Sequence, residues 1–221
     1  MLIPEGVAEV VTYGFENGID ASAPGAGDSD WWFFKGSGAV KVRDGILKGP
    51  LEISDAWPEL KGTVFANGVD AAVAGAGGAD WWFFKGDQTI KCNGGGKVLH
   101  GPDKISVFWP ALKGTVFEDG VDAAVNGGDG GWWFFRGNKA ALYDNDTIVK
   151  GPGEITAAGA WPKLKGTQFE YGVNAAAGAG AGSGWWFFLG NQTIKCDGEG
   201  NALKGPEDIT AANAWSMLKG Y

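Results

Sequence analysis

Four times along the chain, four bulky aromatic residues stand in a row and are closed by one residue and a glycine. These Trp-Trp-Phe-Phe runs begin at Trp31, Trp81, Trp132 and Trp185. Aromatic-rich stretches of this length, bounded by turn residues, predict β-strands. Side chains alternate along a strand, so Trp31 and Phe33 face one side and Trp32 and Phe34 the other. Both faces of such a strand are apolar. A short apolar stretch precedes each run, Ile19 to Ala23 in the first case, and predicts another strand. A third follows at Ala39 to Val42, Thr89-Ile90-Lys91-Cys92, Ala140-Ala141-Leu142-Tyr143 and Thr193-Ile194-Lys195-Cys196. It leads into turns rich in Asp, Asn and Gly: Asp44-Gly45, Asn93-Gly94-Gly95-Gly96, Asp144-Asn145-Asp146 and Asp197-Gly198-Glu199-Gly200. Further on, Ile53, Ile105, Ile155 and Ile209 each precede Trp and Leu at helix-like spacing. A short outer strand or a single helical turn is expected there.

The recurrence extends beyond the aromatic run. Gly18-Ile19-Asp20-Ala21 returns as Gly68-Val69-Asp70-Ala71, Gly120-Val121-Asp122-Ala123 and Gly172-Val173-Asn174-Ala175. Lys48-Gly49-Pro50 returns as His100-Gly101-Pro102, Lys150-Gly151-Pro152 and Lys204-Gly205-Pro206. Each repeat ends around Trp57, Trp109, Trp161 or Trp215, and successive counterparts lie 50 to 54 residues apart. A period near 50 is the size of one β-propeller blade of four short strands. A lone sheet with two apolar faces cannot bury both, but neighbouring blades can, and a ring leaves none uncovered. The expected fold is all-β, a four-bladed propeller in one domain, with repeats at about 15–64, 65–116, 117–168 and 169–221.

Composition supports a packed core: hydrophobic residues make up 44% of 221, twelve of them Trp, despite 40 glycines. A net charge of −8 argues against nucleic acid, and the lack of a Lys/Arg cluster against anionic membranes. No apolar segment is long enough to span a bilayer, so membrane insertion is not expected. The start, Met1-Leu2-Ile3-Pro4-Glu5, has no basic stretch followed by an apolar run. The expectation is a cytoplasmic protein, or one released without a classical signal peptide. Two cysteines are too few for a disulfide scaffold. Cys92 and Cys196 fall at equivalent places in opposite blades, too far apart to bond.

These landmarks resemble the hemopexin-like repeat, which carries Asp-Ala-Ala, an aromatic pair with Phe-Lys-Gly, Gly-Pro, and Trp-Pro with Leu. The matching residues are Val69-Asp70-Ala71-Ala72, Trp82-Phe83-Phe84-Lys85-Gly86, Gly101-Pro102 and Trp109-Pro110-Ala111-Leu112. The segment Lys113-Gly114-Thr115-Val116-Phe117-Glu118-Asp119-Gly120 is similar to seed albumins of this fold, and mushroom lectins built on it are a second likeness. Two departures stand out. Trp31, Trp81, Trp132 and Trp185 occupy a place where the usual repeat has a small polar residue, and the blade-closing cysteine pair of secreted animal members is missing. The resemblance implies an axial channel lined by backbone carbonyls of the Asp-Ala motif, here Asp20, Asp70, Asp122 and Asn174. It implies a calcium or sodium ion there, since converging oxygens suit hard cations. The competing reading is that these side chains only cap turns.

The extra tryptophans follow glycine-rich loops. Sugar recognition needs an aromatic face and nearby hydrogen-bonding groups, and glycine lets a ligand approach the main chain. Trp31, Trp81, Trp132 and Trp185 are therefore candidate sugar-stacking residues, with Asp30, Asp80 and Asp129 as candidate acceptors. The competing reading is that these tryptophans fill the space between blades. Lys48, His100, Lys150 and Lys204 read as a solvated face. With His100 the single histidine, no nucleophile, metal-ligand or acid–base constellation is apparent, and no enzyme activity or organic cofactor is expected. The leading expectation is a multivalent lectin for galactose-type glycans, with a homodimer as a further expectation. The alternative is a seed-albumin-like binder of a polyamine or haem at the axial channel.

Overall fold

A computed structural model describes residues 12–25, 30–43, 45–127, 130–178, 184–212 and 214–221. Among these residues sixteen strands form four antiparallel four-stranded sheets, each in simple sequence order. Blade one holds β1 (Ala21–Pro24), β2 (Trp31–Lys35), β3 (Gly38–Val42) and β4 (Ile46–Glu52). Blade two holds β5 (Ala71–Ala74), β6 (Asp80–Lys85), β7 (Gln88–Asn93) and β8 (Val98–Lys104). Blade three holds β9 (Ala123–Asn126), β10 (Trp132–Arg136), β11 (Lys139–Asp144) and β12 (Thr147–Glu154). Blade four holds β13 (Ala175–Gly178), β14 (Trp185–Leu189), β15 (Gln192–Cys196) and β16 (Ala202–Asp208). The innermost strands β1, β5, β9 and β13 touch in a ring around the axis. The fold is the four-bladed β-propeller that the repeats predict.

Two boundaries differ from expectation. The inner strand begins at Ala21, because Gly18 has a φ of 148° that only glycine adopts readily and the chain turns before it extends. The outer strand lies earlier than expected and runs through the Gly-Pro pair instead of following it. Ile53 and Ile105 then open one-turn helices, α1 (Ile53–Ala56) and α2 (Ile105–Phe108). The pairing of β7 with β8 slips between Thr89 and Lys91, opposite Gly101. That glycine has φ +81°, and a Cβ there would stand 2.6 Å from the Thr89 carbonyl oxygen. All four Gly-Pro bonds are cis.

The core lies in the four seams between blades. In each seam, one Phe of a blade meets a Phe of the next nearly edge-on: Phe34–Phe83, Phe84–Phe134 and Phe135–Phe187 at 5.6 Å, and Phe188–Phe33 at 5.5 Å. Such pairs contribute about 0.5–1.5 kcal/mol beyond their buried area. The repeat-ending Trp57, Trp109, Trp161 and Trp215 sit against these pairs and are buried. Alternation along the aromatic strand thus feeds two seams from one strand, with Trp31 and Phe33 toward blade four and Trp32 and Phe34 toward blade two.

Closure uses the same local device as the links between blades. The Glu118 carboxylate accepts from the Gly114 amide at 2.7 Å, and Glu170 accepts from Gly166 at 2.6 Å. Where the first and last described segments meet, Glu16 accepts from Gly220 at 2.9 Å, and the Phe15 amide donates to the Tyr221 carbonyl at 2.7 Å. The buried Ser22 hydroxyl adds a 2.8 Å bond to the Ala176 carbonyl, tying blade one to blade four.

Candidate ligand-binding site

The inner strands deliver their last residues, Pro24, Ala74, Asn126 and Gly178, to one mouth of the axial channel. A bowl of about 960 Å³ opens there. Its wall is largely bare backbone, from Gly25, Gly75, Gly77, Gly127 and Gly131 among others, with the indoles of Trp31 and Trp132 set into it. Side-chain polarity enters mainly from Asn126 and from the blade-three turn Asp144-Asn145-Asp146. A smaller cleft of about 510 Å³ lies between blades three and four, lined by Trp133, Lys150, Trp161 and Trp185 with Asp197 and Glu199 at its edge.

The leading tryptophans of the aromatic runs are seam residues. Trp31 is 7% exposed and Trp81 3% exposed. In three of them the indole N–H reaches back to the last inner-strand carbonyl of the preceding blade: Trp81 to Pro24 at 2.6 Å, Trp132 to Ala74 at 2.8 Å and Trp185 to Asn126 at 3.1 Å. Their rings lie edge-on to Trp57, Trp109 and Trp161. Trp31 and Trp132 border the bowl and Trp185 the lateral cleft, so the four do not make four equivalent stacking platforms.

The carboxylates named with them are engaged elsewhere. Asp30 is buried and pairs with Lys41 at 2.8 Å and Arg43 at 2.5 Å. The Lys41 bond, against the opposing cost of burial, holds the Asp30 carboxyl below the usual carboxylate range. Among the described residues Asp80 pairs only with Lys91, at 3.1 Å, and its other oxygen is buried without a partner. Neither borders the bowl among the described residues. Asp129 lies outside the described residues.

At the opposite mouth, the Asp-Ala motif side chains hold hairpin turns. Asp20 accepts from Lys35 at 2.9 Å and the Gly36 amide at 2.8 Å; Asp70 does the same with Lys85 and Gly86. Asp122 accepts from Gly137 at 2.7 Å and Asn174 from Gly190 at 2.9 Å. Asn replaces Asp without loss because only one oxygen acceptor is needed for the turn amide. Among the described residues, no group of three His, Cys, Asp or Glu side chains gathers to hold a metal. What remains for an ion is the unpaired edge of each inner strand, a row of backbone groups that its own sheet does not use. Carbonyls from four such edges have the oxygen chemistry that calcium or sodium takes.

Sequence reasoning missed a second role for the lysines. Lys48, Lys91, Lys150 and Lys195 stand 5.4–6.0 Å over Trp32, Trp82, Trp133 and Trp186, covering the second tryptophan of each run. In blade two, His100 stacks on Trp82 at 6.1 Å and 12°. Cys92 and Cys196 are buried free thiols, which burial pushes up to about 12. They are unreactive at neutral pH.

No protein-family model matches the chain. Curated sequence relatives are Albumin-2 of Pisum sativum, 34% identical over 43% of this chain and 42% of that protein, and Albumin-2 of Lathyrus sativus, 33% identical over 56% of each. The matched stretches thus span about half the length of those relatives. Similar solved structures include a hemopexin-fold protein from cow pea, with TM-score 0.81 and 27% identity over 95% of this chain and 98% of that one. Two from Cicer arietinum are a plant albumin showing hemagglutination (TM-score 0.80, 23% identity) and a plant lectin with two metal binding sites (TM-score 0.82, 24% identity). Each covers 91% of this chain and 97% of its own. The chain is a four-bladed propeller of the hemopexin-like fold, with Albumin-2 proteins as sequence relatives and seed albumins and lectin-like albumins as structural neighbours.

Proposed function

We propose that the protein is a non-enzymatic binder of the lectin and seed-albumin type, and that its ligand is a glycan seated in the axial bowl. The observation that carries this reading is the bowl itself: glycine backbone from several blades, two tryptophans at the wall, and Asn126, Asp144, Asn145 and Asp146 among its lining residues. That combination suits a sugar ring, which offers an apolar face and many hydroxyls. The hemagglutinating albumin and the lectin among the neighbours support it. Galactose-type sugars are the first probes. One bowl per ring carries one glycan, so crosslinking of cells calls for a homodimer, whose two sites gain by avidity. An axial calcium or sodium ion held by inner-strand carbonyls belongs to the same proposal.

A second reading places a small cation such as a polyamine in the same bowl. Asp144 and Asp146 favour it, because no Lys or Arg is among the described lining residues.

Haemagglutination with galactose inhibition, with and without chelator, tests the reading together with calorimetric stoichiometry. Sugar-inhibited agglutination and one sugar per ring are expected. Silence across a glycan array at high protein concentration overturns it, and spermine binding without any sugar binding favours the second reading.

A further inference from the structure

Three of the four blades follow the β3-type strand with a turn containing glycine, at Gly45, at Gly94 to Gly96, and at Gly198 and Gly200. Blade three alone writes Asp144-Asn145-Asp146, and only this turn of the four lines the bowl among the described residues. The residue before it also departs from the repeat: Tyr143 stands where the other blades have Val42, Cys92 and Cys196. Its ring is 2% exposed and wedged against Trp109 at 5.1 Å, and its hydroxyl donates to Asp146 at 2.8 Å. Burial and Asp146 both raise the Tyr143 hydroxyl, so it stays a donor at physiological pH. A fixed post therefore holds a carboxylate at the wall of a cavity that has no cationic side chain among its described lining residues.

We propose that Asp146, held by Tyr143, and its neighbour Asp144 set the selectivity of the bowl, admitting uncharged glycans and turning away sialylated or sulfated ones. A carboxylate accepts two sugar hydroxyls without needing a donor of its own, which a neutral polyol satisfies. An anionic sugar brought to the same wall meets like charge with no cationic side chain among the described lining residues to offset it. This inference rests on the glycan reading above and adds its polarity and the residues that carry it.

The test uses the full chain on an array of glycan pairs that differ only in a sialic acid cap or a sulfate, followed by titration of the best pair. The neutral member is expected to bind at least about tenfold more tightly. Asp144→Asn with Asp146→Asn should shrink that gap to within about threefold. Tyr143→Phe, which keeps the buried ring, should weaken neutral-glycan binding severalfold while leaving the melting temperature near that of the parent. Equal or tighter binding of the anionic member by the parent protein overturns the proposal, and so does a gap that the double substitution leaves unchanged. If no glycan binds, the glycan reading itself falls; if neutral and anionic glycans bind alike, only the selectivity proposal does.

Discussion

Asp30 shows how one side chain takes its meaning from its neighbours. In sequence it stands beside a glycine-rich loop and a tryptophan, the setting of a sugar acceptor. In the fold it is buried between Lys41 and Arg43, the first on the adjoining strand and the second just beyond that strand's end. Asp80 keeps the lysine, but Asn93 stands at the place of Arg43, and one carboxylate oxygen is orphaned. In blades three and four Gly131 and Gly184, both with positive φ, replace the aspartate, and a side chain at either would strike a backbone carbonyl. Because the folded-state value of Asp30 is depressed, its contribution is present above the unfolded value near about 3.9 and is lost as pH falls through the lower folded one. Asp30→Asn should cost about 2 kcal/mol at pH 7, and urea midpoints should show the gap to the parent closing below about pH 4. The sequence displayed the residue and its charge. It did not display that two cations on the opposite side of the hairpin had already claimed it, since that depends on strand register.

At the scale of the element, the aromatic strands were plain in sequence because a period of two and four consecutive bulky residues admit few alternatives. The outer strand was harder. A Gly-Pro pair reads as a break, yet β4, β8, β12 and β16 run through it, with an irregularity in the pairing that absorbs the proline. The glycine there is the critical member. Gly101→Ala forces a Cβ against the Thr89 carbonyl at positive φ and should destabilise by about 1–3 kcal/mol. Gly86→Asn, in an open hairpin turn at φ +55°, should cost much less. Chemical denaturation of the two variants, matched to the parent, checks the contrast. The three tryptophans of each repeat were also countable in advance. Their division of labour was not, because it takes the ring to bring Trp81 against Trp57 and the Pro24 carbonyl.

At the scale of the whole molecule, four near-copies of one sheet were enough to foresee the ring, and the joint that closes it explains how it holds without a disulfide. The contact of Glu16 with Gly220 copies the links at Glu118 and Glu170, and Phe15 is bonded directly to Tyr221. A circular permutant joining Tyr221 to residue 12 through a short linker, and opened in the exposed turn at Lys61-Gly62, should therefore fold. Its circular dichroism should match the parent and its melting temperature lie within a few degrees; opening the ring inside β10 instead should abolish folding. The acidic wall of the bowl was less foreseeable than the ring, since it depends on blade three departing from the repeat at Tyr143 and at the turn beyond it.

The indole bonds from Trp81, Trp132 and Trp185 all point the same way, from each blade to the one before. A growing chain therefore always offers the newest repeat a finished partner to dock on. Assembly can advance in the order of translation, and only the seam between the fourth blade and the first has to wait for the chain to be complete.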